Sequence, residues 1–184
     1  TQLGVMLKTG LPIVEAIEST DTADSEQLTN WIVRRIYDHE PEMVLIDTIG
    51  VGWAVEGNVR TRCSGTTVIG INVAEAPSNE TRFYRLRDEL CWSMREQFEK
   101  RVIKIPDDPL LIGEMTSLKY DDERTDGKLK VESKKDLKKR GVESPNRFDA
   151  LMLTEYYGYE MLRRMSGRQK QHFRREEPAN WKVA

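Results

Sequence analysis

The sequence predicts an α/β fold, and three observations carry that expectation. Two short apolar runs, Met43 to Ile46 and Thr67 to Val73, have the length and β-branched content of strands covered on both faces. A helical repeat of Leu28, Trp31, Ile32 and Ile36 precedes the first run, and a modest helix from Trp53 to Cys63 separates the two. Strand and helix alternating in this way close as a right-handed parallel crossover. The third observation is the balance of the chain: 184 residues, 38% apolar and 33% charged, suit one soluble, highly charged domain with a proper core.

The elements follow in order. Gln2 to Lys8 and Leu11 to Ile17 read as two strands, with Thr9 and Gly10 as their turn. Asp24 or Ser25 caps the helix that runs to Tyr37, and Pro41 ends the linker after it. Asp47 finishes the first buried strand, and Gly50 and Gly52 turn the chain into the next helix. Thr81 to Lys100 reads as one long amphipathic helix with Phe83, Leu86, Leu90, Met94 and Phe98 on its inner face. Val102 to Ile105 is extended, and Pro106-Asp107-Asp108-Pro109 opens a short helix through Met115. Leu118 to Asp121 and Lys128 to Glu132 form a second hairpin. A dense basic loop leads to Ser144 as N-cap and Pro145 as first helical residue of a helix expected to reach about Met165. The domain is expected to span 1–165, with 166–184 as a basic, flexible tail.

The net charge of −2 excludes a protein that coats DNA over its whole surface, while leaving room for a local basic site. Cys63 and Cys91 lack metal-ligand spacing and read as reduced core thiols. No stretch has the length of a membrane span, and no signal peptide is expected. His39 and His172 do not resemble zinc ligands. Trp53, Trp92 and the tyrosines are expected to build the core rather than stack on bases.

Two acids stand out. Asp149 shares a helical stripe with Met152, Leu153 and Tyr156, which aims a carboxylate inward. Such a group must be paired or bind a metal; stabilisation by the helix dipole and a nearby Lys or Arg is the alternative. Asp47 sits at the carboxyl end of a buried strand before T-I-G-V-G, where α/β sheets bind ligands; its alternative is a cap or turn acid. Two carboxylates with no His or Cys cluster suit a hard ion such as Mg²⁺ or Mn²⁺. Lys128, Lys130, Lys134, Lys135, Lys138, Lys139 and Arg140 form a basic run that is either a solvated face or a phosphate-contacting rim. A second basic zone spans Arg163 to Arg175.

DTIGVG (Asp47 to Gly52), ESKKDLKKRG (Glu132 to Gly141) and SPNRFDAL (Ser144 to Leu151), with the RLRDELCW helix and the IPDD segment, resemble the nuclease domain of tailed-bacteriophage terminase large subunits. The resemblance implies an RNase H-like mixed sheet flanked by helices, with an added β-hairpin. It implies cleavage of concatemeric viral DNA during genome packaging, with two Mg²⁺ or Mn²⁺ ions held by acids that include Asp47 and Asp149. Asn146 stands where many relatives carry a further Asp, so no ligand role transfers there. The first central strand of such a sheet, with the family's first acid, is expected upstream of Thr1. Implied partners are double-stranded DNA, an ATPase domain in the same full-length chain, and the portal and small terminase subunit, with no membrane. The ATPase phosphate loop G-x-x-x-x-G-K-[ST] is absent from this sequence. The implied location is the cytoplasm of the infected bacterial host.

The expected function is therefore that of a metal-dependent endonuclease, with Lys134, Lys135, Lys138 and Arg140 contacting the DNA backbone. The competing expectations are a non-catalytic docking module for portal, procapsid or small subunit, and a RuvC-like resolvase that prefers junctions.

Overall fold

The computed structural model of the chain describes residues 2–6, 12–22, 24–121 and 126–156. The Thr9–Gly10 turn, the far end of the last helix, the expected boundary at 165, His172 and the second basic zone lie outside the described residues.

The described residues form a mixed α/β architecture, which bears out the expected class. Strands β1 (Gln2–Met6) and β2 (Pro12–Ile17) pair antiparallel, with an irregularity in register between Leu3 and Gly4. Helix α1 (Ser25–His39) follows, and Asp24 caps it by accepting the Gln27 N–H at 2.8 Å. Strands β3 (Met43–Asp47) and β4 (Thr67–Ile71) run parallel, in register from Met43 opposite Thr67 to Asp47 opposite Ile71. Helix α2 (Gly52–Arg62) connects them. The β1–β2 and β3–β4 pairs are two separate sheets, and the last helix packs against both β1 and β3. A separate bond, from the Val14 N–H to the Lys104 carbonyl at 2.9 Å, ties β2 to the extended 102–105 segment.

Two hydrophobic clusters organise the molecule. Ile32, Ile36, Val55 and Val59 pack α1 and α2 onto Ile46 and Val68. On the other side Ile71, Leu86, Leu90, Met94, Leu111, Leu151 and Met152 form the larger core. Cys63 and Cys91 are free and buried, and burial pushes the Cys91 thiol up to about 12, which leaves it unreactive at neutral pH.

Three expectations need correction. Helix α3 begins at Leu86, not Thr81, and runs to Glu99. The residues ahead of it pair with another segment instead: Phe83 bridges Leu129, the Tyr84 N–H donates to the Leu129 carbonyl at 3.1 Å, and the Leu129 N–H donates to Arg82 at 2.8 Å. Asp88 fixes the start, accepting the Arg85 N–H at 2.9 Å and the Val131 N–H at 2.8 Å. The dense basic segment is not a loop throughout: Lys134–Lys139 form a helical turn, α5, because Ser133 caps it and Leu137 is fully buried. The third correction concerns the aromatics expected in the core, since Trp53 stands 75% exposed and Tyr37 and Tyr84 are exposed as well. Trp92 is half-buried, its ring edge-on to Tyr120 and tilted against Phe83.

Helix α4 (Pro109–Ser117) uses Asp108 as its cap and Pro109 as its first residue. The second hairpin is present in its backbone pairing, Tyr120 with Val131, reinforced by Asp121 N–H to the Lys130 carbonyl at 2.7 Å. Helix α6 (Asn146–Leu153) starts one residue later than Ser144 and Pro145 suggested.

Candidate active site

Asp47 is placed by the sheet. It ends β3, and the next residue still pairs across the sheet, the Thr48 N–H donating to the Ile71 carbonyl at 2.9 Å. Its carboxylate Oδ1 accepts the Ile49 N–H at 3.0 Å, and Gly50 then takes a positive φ of 70°. The first residue of α2 lies so close that a Cβ on Gly52 would come within 1.8 Å of the Asp47 carbonyl oxygen. Glycine at 52 is therefore what allows the helix to seat directly against the strand end. The cap position of α2 belongs to Val51, which makes no side-chain cap bond, so Asp47 is not the cap of that helix. Burial raises the pKa of the Asp47 carboxyl, and the charge of Asp149 adds to the rise; the Ile49 N–H and the charge of Lys134 oppose it.

Asp149 is placed by α6, whose first turn it occupies. Its side chain is 18% exposed, and it is held by two cations: Lys134 Nζ at 2.7 Å from Oδ2, and Arg87 Nη2 at 3.4 Å from Oδ1. The inward carboxylate expected from the helical stripe is thus partly buried and doubly paired. The two aspartates predicted from sequence lie on neighbouring elements and within each other's electrostatic reach. Helix α6 packs on β3, Asp47 lies in the field of both Asp149 and Lys134, and Lys134 touches Asp149.

Sequence reasoning passed over the residues that hold α6 in place. Helix α6 has no side-chain cap of its own. Glu114 of α4 supplies one from another element, accepting the Phe148 N–H at 2.8 Å. Burial raises the Glu114 carboxyl's pKa, while the backbone N–H groups of Phe148 and Arg147 oppose the shift. Asp108 adds an ion pair to Arg147 at 2.7 Å. Arg87 was equally unmarked. Glu114 lies 34 positions before its partner, and Arg87 lies 62 before Asp149, so no local pattern could reveal either. Glu56, buried on α2 and ion-paired with Arg60, packs beside Gly70, where a Cβ would come within 3.1 Å of its Cγ.

The basic candidates divide. Lys134 pairs with Asp149. Lys134 and Lys138 line a groove of about 600 Å³ together with Ser144 and Asn146. Lys135 is exposed and outside that lining. Arg140 is engaged within the fold, donating to Glu132 Oε2 at 3.0 Å and to the Ser117 carbonyl at 2.8 Å.

No protein-family model matches this chain, and no curated protein matches it. Solved structures do. A mutant nuclease domain of the large terminase subunit gp2 of bacterial virus Sf6, with manganese, superposes with a TM-score of 0.69 at 18% identity, covering 78% of this chain and 78% of that one. The nuclease domain of the same subunit without the mutation gives 0.64 at 17% identity, over 78% and 77%. The chain has the fold of a terminase nuclease domain. A third structure of this group, of a mutant with calcium, gives 0.65 at 18% identity. The likeness is one of backbone, so the roles of individual side chains rest on the geometry of this chain.

That geometry fits a hard cation in part. The converging donors are all carboxylate oxygens, which is the donor chemistry of Mg²⁺, Mn²⁺ and Ca²⁺. Among the described residues no group of three or more His, Cys, Asp and Glu stands together as a metal cage. Asp47 and Asp149 offer two carboxylates, fewer donors than a divalent cation of this class takes.

Proposed function

We propose that this chain is the metal-dependent DNA endonuclease domain of a viral genome-packaging terminase large subunit, cleaving concatemeric double-stranded DNA. The observation that carries the reading is that Asp47 lies in the electrostatic field of Asp149 and of Lys134, while Lys134 and Arg87 pair with Asp149. The nuclease fold and the manganese and calcium in the Sf6 structures support it.

Asp47 and Asp149 would hold two divalent ions, Mg²⁺ or Mn²⁺, with a further acid from an additional central strand. When bound, such ions lower the pKa of a coordinated water and neutralise charge on the phosphate undergoing displacement. The rest of the work belongs to the protein. The end of β3, held by backbone bonds, and the clamped first turn of α6 fix the positions of the two carboxylates, so little reorganisation would be needed on loading. Lys134 balances Asp149 before substrate arrives and is free to turn to a phosphate oxygen when a cation takes its place on the carboxylate. Lys138, Ser144 and Asn146 offer donors to the flanking backbone from the groove. Such contacts carry no base information, so cleavage should show weak sequence preference and strong salt dependence. In the full-length protein the ATPase domain, the portal and the small subunit would deliver DNA to this site in the cytoplasm of the infected bacterium.

The test is Mn²⁺-dependent plasmid cleavage by the full-length protein. Asp47→Ala and Asp149→Ala should each abolish nicking and linearisation while leaving thermal unfolding cooperative. Cleavage that persists in Asp149→Ala would make Asp149 a structural acid and favour a docking role for this domain.

A further inference from the structure

We propose that the loop joining β3 to α2 is an apolar DNA-contacting rim, in which Ile49, Val51 and Trp53 pack on the sugars and bases beside the phosphate held at Asp47 and Asp149. The inference rests on the nuclease reading and adds the second wall of the same site.

The observation is an inversion of ordinary burial. In the run Ile49-Gly50-Val51-Gly52-Trp53, the large apolar residues are 54%, 53% and 75% exposed, while Gly52 is buried. Single exposed apolar residues need no explanation, but three in five positions beside a candidate site do. Nor is the loop loose. The Thr48 N–H is bound to the Ile71 carbonyl, the Ile49 N–H to Asp47, and the Val55 N–H to the Val51 carbonyl at 3.2 Å. Gly52 is seated on the Asp47 carbonyl, and the Thr48 methyl lies so near Gly70 that a Cβ there would come within 2.6 Å of it. The inner side of the segment is fully engaged, which holds the apolar side chains outward in one arrangement.

DNA is the occupant because of what the loop adjoins. The Ile49 backbone N–H lies on the carboxylate that would hold the metal, so a phosphodiester bound there lies within one residue of the rim. Beside the same acids, Lys134 pairs with Asp149, and Lys134 and Lys138 line the adjoining groove. Those cations suit phosphates, whereas an apolar wall suits the sugar edges and base faces that remain, as wedge and stacking residues do elsewhere.

The two walls have different salt signatures, which allows a test. Binding of a short labelled duplex to the full-length protein would be followed by anisotropy across a KCl series, with Ca²⁺ present. Trp53→Ala should weaken binding at least about fivefold at every salt concentration, with an unchanged slope of log K against log salt. Lys138→Ala should instead flatten that slope by about 0.9. Trp53→Phe should recover most of the affinity, and Trp53→Ala should bind Mn²⁺ as the wild type does. Wild-type affinity in Trp53→Ala would overturn the proposal. So would normal DNA binding accompanied by loss of self-association or of a protein partner, which would assign the rim to a protein contact. Wild-type protein that binds neither Mn²⁺ nor duplex would overturn the nuclease reading itself, and is distinguishable from both.

Discussion

The two halves of the candidate site hold the same functional group by opposite means. On the β3 side, Asp47 makes no ion pair among the described residues; a backbone N–H and the seating of α2 on Gly52 hold it, and burial raises its pKa. On the α6 side, Asp149 is compensated by Lys134 and Arg87, and its position is set by a clamp from α4. The first half is rigid, apolar and built from local chain; the second is charged and assembled from segments far apart in sequence. Under the proposed function, such a division would let metal, lysines and apolar surface act on different parts of one polyanion. The comparison also teaches that equivalent acids need not be equivalent to protons: Asp47 gives up its charge more readily on acidification than an ordinary carboxylate does.

Breaking the α6 clamp should have the larger effect. Glu114→Ala removes the only side-chain acceptor at the start of α6 that the described residues supply, and should cost about 1–2 kcal/mol of stability by analogy with other cap deletions. It should also weaken Mn²⁺ binding, because Asp149 lies in the released turn. Glu114→Gln, which keeps an acceptor oxygen, should recover most of both in chemical denaturation and calorimetry. Equal losses in Ala and Gln variants would show that charge, not capping, is what Glu114 contributes.

Removing the countercharge sharpens the same contrast by a smaller amount. Lys134 is more than half exposed, so its pair with Asp149 is screened. Lys134→Ala should tighten Mn²⁺ binding about two- to fivefold without DNA, and weaken DNA binding in the same preparation. A matching change on removing Lys135, which touches neither acid, would reduce the effect to general surface charge.

These features were not equally legible in the sequence. Asp47 could be read because a continuous apolar run ended on an acid before a glycine-rich turn, and Asp149 because helical spacing placed an acid on an apolar stripe. Both signals are local. The basic run was legible as charge, but its helix was not, since Leu137 is the one apolar residue in a segment otherwise made of Lys and Asp. The periodicity carries helix α3 five residues too far at its start, because Phe83 fits it while its backbone is committed to Leu129. Glu114 and Arg87 act across the fold, and Trp53 defied the usual preference of large aromatics for the interior; none of these follows from spacing.

The central claim is that Asp47 and Asp149 serve one shared centre for a pair of cations, and Mn²⁺ titration calorimetry on wild type, Asp47→Asn and Asp149→Asn tests it most directly. The account predicts that either substitution removes the same binding event. It also predicts that wild-type affinity falls as pH is lowered at a higher pH than an ordinary aspartate near 3.9 would allow, because protons compete for the raised Asp47 carboxyl. Wild-type Mn²⁺ binding in either single variant would contradict it.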